Sequence, residues 1–106
     1  MEGTAWRALL QDGEVPRLVA QCTAAGGDPH RRRAGLERLV ALGRPVGEAI
    51  AHRYFAQEQD VADAVQDALL LMMRDLPQLR RASAFPAWFA SVCHNVCRQR
   101  LRRAQA

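Results

Sequence analysis

The sequence predicts an all-α protein, a compact bundle of about four main helices with no sheet. Apolar residues recur at three and four positions along most of the chain, and no stretch alternates in the β-branched manner of a strand. Glycine and proline fall between these apolar stripes, where helices should break. At 106 residues the chain suits one small domain.

A short first turn is expected at Trp6, Leu9 and Leu10, ended by Asp12 and Gly13; residues 1–17 are expected as an N-terminal extension and residues 18–106 as the helical domain. Pro16 suits the first position of a helix burying Leu18, Val19 and Cys22. Gly26, Gly27, Asp28 and Pro29 break it. From Arg31 a longer stripe of Leu36, Leu39, Val40, Val46, Ile50 and Tyr54 keeps its phase across Gly43 and Pro45, which predicts one kinked helix rather than two. Gln57 to Gln59 read as a polar connection, with Asp60 as the cap of the next helix. That helix should stop near Pro77. Leu79 to Ala82 read as a basic loop, Ser83 as a cap, and Pro86 falls where a first turn tolerates it; the last helix then runs to the end.

Charge is divided unevenly. All 15 basic residues are arginine; residues 1–73 hold eight of them against ten acids, whereas residues 76–106 hold six and no acid. A positive charge confined to one end implies a polyanionic partner there. No run approaches a membrane span, and the N-terminus lacks a basic segment followed by an apolar one. Three cysteines, two of them one helical turn apart, do not form a secreted disulfide framework. These features fit a soluble protein of a reducing cytoplasm.

Two helices carry the functional signal. In the one from Asp60, Val61, Val65, Ala68, Leu69, Met72 and Leu76 make a core stripe, while Leu70, Leu71 and Met73 lie partly outside it. Asp63, Gln66 and Asp67 share a ridge with Leu70 and Arg74, which suits a partner helix bearing arginine. In the last helix Phe85, Trp88, Phe89, Val92, Cys93, Val96, Cys97 and Leu101 cover one side, and Ser91, Asn95, Arg98 and Arg102 recur on the other. Arginine neutralises phosphate while Ser91 and Asn95 carry hydrogen-bonding groups for base edges. Arg80 and Arg81 extend this basic surface, and Trp88 and Phe89 are aromatics of the kind that either build a core or stack on unpaired bases.

No catalytic or metal-binding constellation is expected, and no cofactor. Cys93 and Cys97 share a helical face, but His94 points about 100° away from Cys93, and zinc would need a fourth ligand from Cys22 or another histidine. The glycines near Gly26 follow a helix rather than a strand, so they build no phosphate loop.

The segment Asp60-Val-Ala-Asp-Ala-Val-Gln-Asp-Ala-Leu-Leu, the Phe85-x-x-Trp88 pair, Asn95 and the close at Arg100-Leu-Arg-Arg103 together resemble region 2 of bacterial RNA polymerase sigma factors of the extracytoplasmic-function type. A weaker similarity reaches upstream to Leu18. The resemblance implies that the acidic helix docks on the clamp helices of the polymerase β′ subunit through Asp63, Gln66, Asp67, Leu70 and Arg74. It also implies that Arg80, Arg81, Ser83, Trp88, Ser91, Asn95, Arg98 and Arg102 engage the non-template single strand of the −10 promoter element. Two alternatives stand beside this reading: an interaction module whose acidic apolar helix mainly binds an anti-sigma or other regulatory protein, and a duplex DNA-binding regulator that inserts its last helix into a major groove. Such factors continue into a helix-turn-helix domain reading the −35 element, so this chain corresponds to an N-terminal domain or to a short member.

Overall fold

A computed structural model of the protein describes residues 13–24 and 26–105, and within them every regular element is helical. The order is α1 (Glu14–Thr23), α2 (Pro29–Ala51), α3 (Glu58–Asp75), two short 3₁₀ turns at Leu76–Gln78 and Ala82–Ala84, and α4 (Phe85–Gln105). The expected turn at Trp6 to Asp12 lies outside the described residues.

Helix α1 starts two residues ahead of Pro16, with Gly13 at its cap position and Glu14 beside the unpaired amides of the first turn. Val15 is buried along with Leu18, Val19 and Cys22, so the apolar stripe begins earlier than Leu18. Gly26 then turns the chain at φ +72°, a conformation costly for any residue with a Cβ. Asp28 caps α2 by accepting the His30 amide at 2.9 Å, and Pro29 follows as the first helical residue, two positions before the expected start.

Helix α2 runs unbroken through Pro45 but stops at Ala51, leaving Tyr54 in the turn that follows. Pro45 and Ala41 are both exposed, so the Ala41 carbonyl that loses its proline-side donor faces water. Two departures concern caps. Asp60 lies inside the first turn of α3, because Glu58 and Gln59 are already helical and Gln57 holds the cap position. Ser83 sits within the second 3₁₀ turn, whose cap position belongs to Arg81. In the first 3₁₀ turn, Pro77 follows the buried Leu76, and α3 ends there as expected.

The core gathers Leu39, Val46 and Ile50 of α2, Val61, Val65, Leu69 and Met72 of α3, and Phe85, Phe89, Cys93 and Val96 of α4. Phe85 and Phe89 stack at 5.8 Å between ring centroids, and burial of each contributes on the order of 2–3 kcal/mol. Helix α1 covers α2 and reaches over both 3₁₀ turns. Gly43 lets α2 approach α4 closely, since a Cβ there would lie 3.0 Å from the Phe89 ring. Among the described residues, no helix is long and apolar enough to cross a membrane.

Candidate functional site

With α2 holding the buried sides of α3 and α4, the outer sides of those two helices become the exposed candidate surface. On α3, Gln66, Leu70 and Arg74 are exposed, and Asp63 and Asp67 are half-buried. Leu70 is 51% exposed, as the surplus of apolar residues on this helix requires. The polar members are held in place: Asp63 accepts from Gln59 at 2.8 Å, and Arg74 grips the Asp75 carboxylate at 2.8 and 2.9 Å. That hydrogen-bonded pairing lowers the Asp75 pKa and raises that of Arg74.

On α4 the polar row is turned to solvent. Ser91, Asn95, Arg98 and Arg102 are exposed, as are Arg80, Arg81 and Ser83 ahead of the helix. Trp88 continues the row by helical spacing but is half-buried, tilted against Phe85 at 5.9 Å between centroids. Phe89, in contrast, is wholly in the core. Within the row Arg98 Nη1 donates to Asn95 Oδ1 at 3.2 Å, and the Asn95 amide nitrogen carries two donors of its own. Arg80 and Arg81 precede the helix, whereas Arg98 and Arg102 lie toward its other end, roughly 20 and 26 Å along the axis from Phe85 at about 1.5 Å per residue. The positive charge thus brackets Trp88, Ser91 and Asn95.

The buried side of α4 carries no comparable chemistry. Cys93 is pushed up to about 12, chiefly by burial and then by Cys97, so its thiol stays protonated at neutral pH. Burial raises Cys97 and Cys22 as well, each moderated by a nearby arginine. His94 Nδ1 is instead 2.6 Å from the Tyr54 hydroxyl, which ties the α2–α3 turn to α4.

The structure also joins residues that the sequence pattern keeps apart. Arg100 Nη2 and Nε reach the same Asp67 oxygen at 2.8 and 3.0 Å, bridging α4 and α3. This pair lies in a shallow groove of about 330 Å³ lined by Asp67, Leu70, Leu71, Val96, Gln99, Arg100 and Arg103. Arg100 and Arg103 therefore border the α3 ridge rather than the α4 row. The signal for this was the helical rotation, since Arg100 stands about 200° from Arg98 around α4.

Comparison with known proteins gives a family match over residues 39–106, to the model described as Sigma-70 region 2. The curated relatives include the ECF RNA polymerase sigma factor SigM of two Mycobacterium tuberculosis strains, Erdman and H37Rv. Each is 29% identical over 106 aligned positions, covering 87% of this chain and 54% of the relative. The chain thus spans about half the length of these relatives. No solved structure matches.

Proposed function

Because this chain belongs to the sigma-70 region 2 family, we propose that it serves transcription initiation by binding core RNA polymerase through α3 and the −10 promoter element through α4. The observation that carries this reading is the row of Ser91, Asn95, Arg98 and Arg102, exposed on the helix whose opposite side is core. On α3, Asp63, Gln66 and Asp67 offer acceptors to arginines of the β′ clamp helices, while Leu70 supplies apolar contact and Arg74 borders it.

The strand-engaging surface combines three kinds of contact. Arg80, Arg81, Arg98 and Arg102 neutralise phosphates and release counterions, which draws a strand along the row. Ser91, Asn95 and Ser83 hydrogen-bond base edges or sugar, and the accessible part of Trp88 stacks on a base. Unstacking a base costs a few kcal/mol, and capture of that base offsets the cost, so opening and recognition are coupled.

Binding of a non-template-strand oligonucleotide tests the reading, with matched duplex and core polymerase as parallel ligands. Preference for the single strand with strong salt dependence, together with polymerase association, is the expected result. Duplex preference would instead indicate major-groove insertion. Binding of a regulator such as an anti-sigma protein without any DNA binding would reduce the chain to an interaction module.

A further inference from the structure

We propose that the crevice between α1 and the start of α2 is a phosphate site of its own, separate from the row on α4, with Arg17 and Arg31 as its ligands. The two arginines line a crevice of about 340 Å³ together with the small residues Ala20, Ala24 and Gly27, which leave room for a compact anion. Both are exposed, and among the described residues neither has a carboxylate partner. Neighbouring arginines are spent otherwise. Arg33 pairs with Glu37 at 3.5 Å and Arg38 with Glu14 at 3.3 Å. Arg32 donates through Nη2 to the Ala24 and Gly27 carbonyls at 3.2 and 3.5 Å, which holds a third guanidinium against two residues of the crevice lining. The Gln21 amide donates to the Arg31 carbonyl and so fixes the backbone from which that arginine extends.

Charge at the start of α2 runs against what the helix itself prefers. A helix start carries partial positive charge and favours acids beside it. The first turn of α2 holds none, and Arg31, Arg32 and Arg33 follow one another there. The acid in the crevice lining is Asp28, whose carboxylate already accepts the His30 amide at 2.9 Å as the helix cap. A bound anion relieves the repulsion among these cations. Arginine's fork of N–H donors matches paired phosphate oxygens, and a crevice of this volume admits such a group rather than a partner helix. The site lies on helices that the α4 row does not include, so its ligand need not be the −10 strand. Phosphate chemistry is shared by a nucleic-acid backbone and by free pyrophosphate or a nucleoside triphosphate.

The test follows the Nε–H resonances of Arg17 and Arg31 by NMR as inorganic pyrophosphate is added at constant ionic strength, with chloride as the control and a short mixed-sequence DNA duplex as a parallel ligand. Saturable shifts of both resonances with pyrophosphate, and none with chloride, are the expected result. Arg17→Gln and Arg31→Gln should each weaken binding about threefold to fivefold, and the double variant should abolish it. Arg44→Gln, which removes an exposed arginine of α2 outside the crevice, should leave it unchanged. The duplex separates the two sources. Tighter binding of duplex than of pyrophosphate, read at the same two resonances, assigns the crevice to a nucleic-acid backbone, and the reverse order assigns it to a free phosphate compound. Shifts that grow without saturating, or that chloride reproduces, overturn the proposal, as does binding that survives the double variant. Failure of the α4 row to bind a single strand would overturn the proposed function and leave this site standing.

Discussion

The α3 ridge and the α4 row are both exposed polar surfaces, yet their side chains are constrained very differently. Along α3, Asp63, Asp67 and Arg74 are each fixed by a partner, from Gln59, Arg100 and Asp75. Along α4, a 3.2 Å contact between Arg98 and Asn95 links two members of a row whose side chains are exposed. The difference matches what each surface is proposed to meet. A folded partner rewards acceptors held in position, because less side-chain freedom is lost on docking. A flexible strand is better met by mobile arginines that follow its phosphates.

The largest effect expected from breaking this division comes from Asp67→Arg. It sets a new cation on α3 against Arg100 of α4 and repels an arginine-bearing partner. Polymerase association should weaken about 100-fold, roughly 3 kcal/mol, while single-strand affinity does not fall. Fold stability should change by less than about 1 kcal/mol, because the pair is partly exposed. Next in size, Asn95→Ala combined with Arg98→Ala should lower single-strand affinity about tenfold to thirtyfold and flatten the salt slope by about 0.7, with polymerase association retained. Parallel loss of both activities in either folded variant would show that the ridge and the row are one surface.

Much of this arrangement was legible in the sequence, and the reason is periodicity. The stripe of Val61, Val65, Ala68, Leu69, Met72 and Leu76 is buried as a whole, and Leu70 emerges exposed because it falls off that stripe. Caps were less legible: Gln57 and Gly13 hold cap positions without side-chain bonds, so residue type gave no signal there. The Asp67–Arg100 bridge spans 33 positions and the Tyr54–His94 contact 40, and such pairings depend on how helices cross rather than on local pattern. The role of Gly43 was also hidden, because its meaning lies in the Phe89 ring opposite.

Two glycines sharpen the comparison from the buried side, where α2 keeps the ridge and the row apart. A Cβ at Gly43 would lie 3.0 and 3.1 Å from Phe89, whereas one at Gly47 would lie 3.6 Å from Val65 and 3.7 Å from Cys93, an ordinary contact. Either change to alanine gains about 1 kcal/mol of helix propensity. Overpacking at Gly43 should exceed that gain, giving a net loss of about 1 kcal/mol, while Gly47→Ala should stabilise by roughly 0.5–1 kcal/mol. Urea unfolding of both variants measures the two signs. A stabilising Gly43→Ala would mean that α2 and α4 are not in close contact, and that the row on α4 is free to rotate.

The smallest effect tests whether α4 really presents one wet side and one dry one. Burial raises the Cys93 pKa from the ordinary 9.0 to about 12, so the folded state favours the protonated thiol. The stability this contributes is fully present below pH 9 and is lost as pH rises through 12, because the unfolded chain releases the proton first. Between pH 8 and 10 the loss should be roughly 1 kcal/mol, read as a falling urea midpoint. Cys22 and Cys97 shift in the same direction and add to the slope. Cys93→Ala, compared across the same interval, should therefore lose less than wild type does. Parallel lines for the two proteins would put the thiol in contact with water, and a hydrated Cys93 is incompatible with a helix that buries Phe89, Cys93 and Val96 on the side opposite Ser91, Asn95 and Arg98.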